Sequence, residues 1–440
     1  MTRAFILLIC VITVSCIGWT AVAAGVSLKN VLLYGATTGL ILQAVLGRRP
    51  KMQVPAVQVC FGVLLGYAVL STYVVGAIGH FPRYNVMGAV QALKASLIDW
   101  MVYFVVFFYG CRTAADAAKV MRVMLIALGV AQLVTLWNAV GLPEIGRSVI
   151  GMEDGARVNG FFGHANETGT MIATLLPAYV VAVLEARGRK KLFWAALLGA
   201  SITVLFATMS RGAIVALLLG VLWGAVMCRK YISFTRTIKY SLLAAAVATP
   251  VLLFAGSGYI AGLMARFAGF SSGNVADVSS GRTIIWQQAF DVLSQNPVYF
   301  ISGVGWNTWF SSGLMNLGAH NQYLQLYFEL GLVGLFSYVL LLGSIVRAPL
   351  QALRVAPSQQ RSMLVSFVFS VLILAVGLLF SSLGVPWGFL WIFFALSLRQ
   401  VVEIPEWQRL TGTASASPSV RAPMPTMIAA RSARKASGAF

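Results

Sequence analysis

Long apolar stretches separated by short polar segments run from the first residues of the chain to about residue 402. A bilayer core takes about 20 consecutive apolar residues per helix, and by this length the pattern predicts twelve membrane-spanning helices. These spans cover residues 4–25, 30–46, 54–77, 97–111, 120–141, 166–186, 192–209, 213–228, 240–256, 322–346, 363–380 and 386–400. The runs are continuous, with no alternation of apolar and polar positions, which excludes a porin-like barrel. We therefore predict an all-α polytopic membrane protein.

The end of the chain has a different character. Residues 411–440 are rich in Ala, Ser, Pro and Arg and contain few apolar side chains, which is typical of disorder. We expect residues 1–402 to form a transmembrane domain and residues 403–440 to form a largely disordered cytoplasmic tail.

Composition and charge support this arrangement. Hydrophobic residues make up 59% of the chain and charged residues only 10%, whereas soluble proteins contain about 25% charged residues. The 32 Lys and Arg outnumber the 12 Asp and Glu, for a net charge of +20. With the N-terminus inside, 24 of these 32 cations lie in inner loops or the tail, as the positive-inside rule requires. The basic excess therefore indicates topology, with both termini cytoplasmic, and predicts no nucleic-acid partner.

The polar chemistry gathers on the predicted outer side. Three long outer loops cover residues 78–96, 142–165 and 257–321, and they contain all three histidines of the chain. The inner loops are short and basic. We expect the functional site on the outer face, with part of it on the large loop 257–321.

One candidate site residue is Arg211. The apolar stretch 192–228 is 37 residues long, which is enough for two helices, so a turn must fall at Ser210–Arg211–Gly212. Gly212 has the backbone freedom that such a turn uses. An arginine near the membrane surface either reaches a lipid phosphate or has a function, and its cost at depth favours function.

A second candidate is Arg282, which follows Ser280 and Gly281. Apolar residues at helical spacing come after it and Pro297 ends the stretch, so we predict an amphipathic helix with Arg282 in its first turn. Backbone N–H groups in a first turn favour anions. The spacing alone is equally compatible with an ordinary solvated arginine.

Two more polar groups precede predicted spans. His320 and Asn321 come directly before the tenth span, and Arg157, His164 and Asn166 lie at the start of the sixth. Each could simply cap a helix or order a loop. Taken together, arginines and a histidine on one face suit a diphosphate substrate, because guanidinium pairs bidentately with phosphate and histidine accepts a proton from a hydroxyl.

Four segments of the chain resemble the O-antigen ligase/polymerase superfamily of bacterial envelope glycosyltransferases: FFGHANETGT, MSRGAIVALLLG, SSGRTIIWQQAF and AHNQYLQLYFELGLVGL. The resemblance extends over residues 150–345 and is most specific at 320–334. Twelve spans with one large outer loop between the ninth and tenth fit the ligase branch. The resemblance implies a fold similar to class C glycosyltransferases.

The reaction that the resemblance implies is an inverting transfer of O-antigen from undecaprenyl diphosphate to lipid A–core at the periplasmic face of the bacterial inner membrane. Arg211 and Arg282 would bind the diphosphate, and His320 would be the base that activates the acceptor hydroxyl. Residues with less definite substrate contacts are Arg157, His164, Asn166 and Asn321. Because the sequence has no cluster of metal-binding carboxylates, we expect no metal and no other cofactor.

Other functions remain open at this stage. An O-antigen or exopolysaccharide polymerase and a protein O-oligosaccharyltransferase would use the same carrier with a different acceptor. A polyprenyl-lipid transporter would need ionisable residues near the membrane centre. Only Glu329 lies more than two residues from the end of a predicted span, about two turns from its outer end, which disfavours transport.

Overall fold

The structure of the protein is a computed structural model. This structure describes residues 3–15, 21–22, 26–46, 53–78, 81, 83–139, 152–153, 157–160, 164–232, 281–315, 317–382 and 388–411.

Helices dominate these residues, and they are numbered here in chain order. The first nine are α1 (Arg3–Ser15), α2 (Leu28–Val45), α3 (Pro55–Ile78), α4 (Val86–Leu93), α5 (Asp99–Gly110), α6 (Ala114–Ala139), α7 (Ala165–Glu185), α8 (Arg189–Ala207) and α9 (Arg211–Met227). The others are α10 (Arg282–Ser294), α11 (Val298–Ser302), α12 (Thr308–Ser311), α13 (Gln322–Leu353), α14 (Ser358–Gly377), α15 (Gly388–Val402) and α16 (Pro405–Thr411). Four two-residue strands form two antiparallel pairs: β1 (Ala21–Val22) with β2 (Val26–Ser27), and β3 (Met152–Glu153) with β4 (Arg157–Val158).

Several of these helices can cross a bilayer. Among the described residues, seven segments are long and apolar enough: Pro55–Gly76, Val86–Gly110, Ala114–Asn138, Ala165–Glu185, Arg189–Ala207, Gln322–Leu353 and Gln360–Gly377. Three shorter apolar helices are Ala4–Thr13, Arg211–Met227 and Gly388–Val402. The prediction of a polytopic all-α membrane protein is thus confirmed. The predicted span at 240–256 and most of the predicted tail, residues 412–440, lie outside the described residues.

Several predicted boundaries were wrong. Helix α6 begins at Ala114, six residues before the span predicted at 120–141, and α13 runs to Leu353, seven residues past the span predicted at 322–346.

The span predicted at 4–25 does not continue as a helix to its end, because α1 covers Arg3–Ser15 and strand β1, Ala21–Val22, lies within that range. The span predicted at 97–111 is longer, because its helix begins at Val86, in what we expected to be an outer loop.

An ion pair explains how the segment Val86–Gly110 tolerates charged side chains within a span. Lys94 Nζ lies 3.0 Å from Asp99 Oδ2, and the Tyr34 hydroxyl donates to Asp99 Oδ1 at 2.5 Å. Residues 94–98 form a π-helical turn between α4 and α5. The inference that Glu329 is the lone ionisable residue well inside a span was therefore wrong. Lys94 and Asp99 are also inside one, and they neutralise each other there.

The centre of the bundle is built on α14. This helix packs against α9 and α7, and α13 packs against α3 and α14. Small residues allow the close approach of α9: a Cβ on Gly220 would lie 2.5 Å from Ile373 Cα. Such small-residue contacts are the usual way for membrane helices to pack without a hydrophobic driving force.

Helix α13 is broken near its start. Gly331 has φ 57° and ψ −157°, a conformation open essentially to glycine alone. Beside the break, the backbone N–H groups of Val304 and Gly305 donate to the carbonyls of Phe328 and Glu329 at 2.8 and 2.9 Å. The segment after α11 thus donates hydrogen bonds to the carbonyls that the break leaves without a helical partner. Unbonded carbonyls would be costly inside a membrane.

We expect Gly331→Ala to destabilise the fold by about 3 kcal/mol or more, from backbone strain together with overpacking. A Cβ at this position would lie 2.1 Å from the Ile301 carbonyl oxygen. Gly343 on the same helix is the matched control, because a Cβ there meets nothing within 4 Å. Gly343→Ala should stabilise the helix by roughly 0.5–1 kcal/mol. Thermal unfolding in detergent checks both, and equal effects would contradict the break.

Candidate functional site

The corner between α8 and α9 lies where the length of the apolar stretch predicted it. Helix α8 ends at Ala207 and α9 begins at Arg211. Ser210 caps α9, since its hydroxyl accepts a hydrogen bond from the Ala213 N–H at 3.3 Å. Arg211 therefore occupies the first position of a helix, where backbone N–H groups already favour an anion.

We expected Gly212 to supply the backbone freedom for this turn, and that expectation was wrong. Met209 is the residue with a left-handed backbone, at φ 46°. Gly212 is needed for a close contact instead, because a Cβ there would lie 2.5 Å from the Phe380 Cβ at the end of α14. The corner is thus pressed against the helix end that also contacts the start of α13.

Arg157 ties three parts of the site together. It lies on β4 and is only 7% exposed. Its Nε donates to the Thr208 carbonyl at 3.1 Å, and its Nη2 donates to Asn166 Oδ1 at 2.9 Å. Arg157 and Asn166, both predicted as substrate contacts, therefore join the β3–β4 hairpin, the α8–α9 corner and the first turn of α7.

Arg282 brings a third cation to this place. It begins the predicted amphipathic helix α10, directly after Gly281 at φ 77°. Burial lowers the pKa of Arg282, and the charges of Arg211 and Arg157 lower it further, so both of these guanidinium groups lie within electrostatic reach of Arg282. Arginine stays protonated even so, and the result is a concentrated positive field.

The two described histidines form a pair. The rings of His164 and His320 stack with centroids 5.6 Å apart and an interplanar angle of 28°. His164 precedes α7, and His320 precedes α13 with a positive φ of 47°. The sequence placed each histidine at a helix start, but it did not predict that they touch. His80 lies outside the described residues, as do residues 257–280 of the large loop.

Three contacts place the histidine pair beside the arginines. Asn166, which accepts from Arg157, is two residues from His164. Trp286, one turn along α10 from Arg282, donates its indole N–H to the Ala319 carbonyl at 2.9 Å. Gln322 N–H donates to the Leu378 carbonyl at the end of α14, near the α8–α9 corner. The cations and the imidazoles thus share one site.

Asn321 serves the backbone in this structure. Its Oδ1 accepts from the Leu324 N–H at 3.1 Å, which makes it the N-cap of α13. A cap of this kind fixes where the helix begins, and here it fixes the position of the preceding His320.

Glu329 lies at the break of α13, two residues before Gly331. Its side chain is 2% exposed, and Oε1 accepts from the Trp309 N–H at 3.3 Å. Sequence reasoning identified Glu329 but missed the break and the bonded segment beside it. The signal available in the sequence was the presence of glycines at 303, 305 and 331. In the structure all three have positive φ.

The described residues contain no group of three His, Cys, Asp or Glu side chains that could hold a metal ion.

Comparison with known families bears on the same region. Residues 194–339 match the family model described as O-antigen ligase. The search of curated proteins gave no match. The matched segment includes the α8–α9 corner, α10 and His320. Residues 194–339 are thus similar to the O-antigen ligase family, which confirms the resemblance found in the sequence.

Proposed function

We propose that this protein is an inverting glycosyltransferase that moves O-antigen polysaccharide from undecaprenyl diphosphate to lipid A–core in lipopolysaccharide biosynthesis. The observation that carries the proposal is the convergence of three arginines beside a stacked histidine pair. Of these five residues, Arg211, Arg282 and His320 belong to the matched domain. Like charges gathered in a partly buried place favour a multivalent anion, and a diphosphate carries the necessary charge and oxygen geometry.

The arginines divide their work in this account. Arg157 is held by the Thr208 carbonyl and Asn166, so it sets the shape of the corner and adds charge. Arg211 and Arg282 bind the diphosphate. Their positions at the first turns of α9 and α10 add backbone N–H groups to the guanidinium donors. Fixed cations of this kind stabilise the charge that builds on the leaving diphosphate, and they require no reorganisation.

His320 acts on the acceptor. A sugar hydroxyl of lipid A–core attacks the anomeric carbon of the donor, and the imidazole of His320 takes the hydroxyl proton. The bond from the anomeric carbon to the phosphate oxygen breaks, and its electrons leave with undecaprenyl diphosphate. This single displacement inverts the anomeric configuration. Because the diphosphate leaves readily, no protein acid and no metal are required.

The proposed topology has twelve spans in the bacterial inner membrane, with both termini cytoplasmic. The seven long segments, the three shorter apolar helices, α2 and the predicted span at 240–256 make up this number. The site then faces the periplasm, with loop 257–321 contributing α10 and His320. We further propose a core similar to class C glycosyltransferases.

Two close alternatives share the same donor site. A polymerase would add the glycan to another lipid-linked glycan, and a protein O-oligosaccharyltransferase would add it to a protein. They differ in acceptor, which the arginine and histidine geometry does not select. A polyprenyl-lipid transporter is the alternative from another class. The ion pair Lys94–Asp99 places ionisable residues within the span Val86–Gly110, but these two charges satisfy each other. The arginines and histidines gather at helix starts instead, which favours a transferase over a transporter.

The topology predicts opposite signals from two reporter fusions. A fusion after residue 300 should report the periplasm and a fusion after residue 350 the cytoplasm, because Lys and Arg concentrate on the cytoplasmic side. Measuring a periplasm-active and a cytoplasm-active reporter at both positions checks this. The reverse pattern would move the site to the wrong side of the membrane for the proposed reaction.

The division of roles predicts two separable defects in purified protein. Arg211→Ala should weaken binding of the lipid-linked donor and lower the transfer rate roughly 10²- to 10³-fold, as for the loss of one preorganised donor. His320→Ala should lower the rate roughly 10²- to 10⁴-fold as the loss of a general base, with donor binding nearly intact. Transfer assays with excess chelator present, together with donor-binding titrations, measure both quantities.

Arg354→Ala is the matched control, because this exposed arginine lies at the opposite end of α13. Both its rate and its donor affinity should equal those of the unaltered protein. Arg211→Lys should remain impaired, since lysine keeps the charge but loses the planar fork. Normal transfer by folded His320→Ala would remove the base from the account, and normal donor binding by Arg211→Ala would remove the clamp.

A further inference from the structure

The backbone of His320 itself is held in an unfavourable conformation. His320 has φ 47°, a region that non-glycine residues seldom occupy. Its ring lies over the preceding turn, where a Cβ on Gly318 would be 3.8 Å from both Cε1 and Nε2 of the imidazole. A conformation of this kind persists only where surrounding contacts enforce it, and such positions cluster at functional sites.

Two tryptophans supply contacts that enforce it. The Trp286 indole N–H donates to the Ala319 carbonyl at 2.9 Å, and the Trp309 indole N–H donates to the Leu317 carbonyl at 2.8 Å. Both bonds end within three residues of His320. The two indoles belong to different helices, α10 and α12. The segment 317–319 is therefore hydrogen-bonded to two separate elements.

Each indole is itself fixed. Trp309 is fully buried, its ring meets Phe328 edge-on with centroids 4.9 Å apart, and its backbone N–H donates to Glu329. Trp286 lies one helical turn after Arg282 on α10, so its position depends on the helix that begins with that arginine. The same helix therefore carries a diphosphate-binding cation and a contact to the segment before His320.

We propose that Trp286 and Trp309 are positioning residues for His320, which act by donating their indole N–H groups to the carbonyls at 319 and 317. The inference rests on the proposed function, in which the imidazole of His320 takes the acceptor proton. Neither indole contacts substrate in this account.

The test uses the full-length protein and compares kcat with the KM for the lipid-linked donor. Trp286→Phe keeps an aromatic ring but loses the N–H donor. We expect kcat to fall about ten-fold or more with the donor KM unchanged, because a misplaced reacting group can cost up to roughly 10²-fold. In a His320→Ala background, adding Trp286→Phe should cause no further loss, since residues that act as a unit are not additive.

Trp306→Phe is the matched control. It removes an indole bond of the same kind, from Trp306 Nε1 to the Ala89 carbonyl at 3.2 Å, away from the segment before His320. It should leave kcat unchanged even if thermal stability falls. Should Trp286→Phe fail to fold, Trp309→Phe applies the same test.

Three results would overturn the inference. They are an unchanged kcat in Trp286→Phe, an equal loss in Trp306→Phe, or a loss that multiplies with that of His320→Ala. If His320→Ala alone transfers at the normal rate, the proposed base fails and the inference fails with it. A normal Trp286→Phe beside an impaired His320→Ala overturns the inference and leaves the proposed function standing.

Discussion

Repulsion among three guanidinium groups is the constraint on which the rest of the site depends. Arg157, Arg211 and Arg282 come from three separate parts of the chain, yet Arg157 and Arg211 both lie within electrostatic reach of Arg282. Holding like charges together in a partly buried place is unfavourable unless an anion joins them. The hairpin, the α8–α9 corner and α10 therefore hold these cations in place, and in the proposed function a diphosphate is the anion that joins them.

Strained backbone surrounds the same place. Within the described part of the chain, the non-glycine residues with positive φ are Met209, Asn307 and His320. Met209 lies two residues before Arg211, Asn307 is the N-cap of α12, and His320 precedes the N-cap of α13. The break at Gly331 lets the neighbouring segment bond directly to α13. A site built in this way is preorganised, which is where electrostatic catalysis obtains most of its effect.

The sequence was sufficient for features that depend on length and spacing. The corner at Ser210–Gly212 followed from a stretch too long for one helix, and α10 followed from apolar residues at helical spacing. It was insufficient where distant residues meet. Nothing local to His164 or His320 shows that their rings stack. The break at Gly331 is hidden because apolar residues continue through it. The helix from Val86 was missed because Lys94 interrupts the apolar run, and its partner Asp99 neutralises that charge only in the folded chain.

The central claim is that the protein transfers a finished glycan from its diphosphate carrier to lipid A–core. Electrophoresis of lipopolysaccharide from a strain that lacks this protein tests it most directly, with lipid-linked glycan measured in parallel. The account predicts that every band of the O-antigen ladder is lost while lipid-linked polymer accumulates. Lipopolysaccharide that still carries a single repeat unit would indicate a polymerase, and an unchanged ladder would show that the acceptor is a different molecule. Either result would contradict the account.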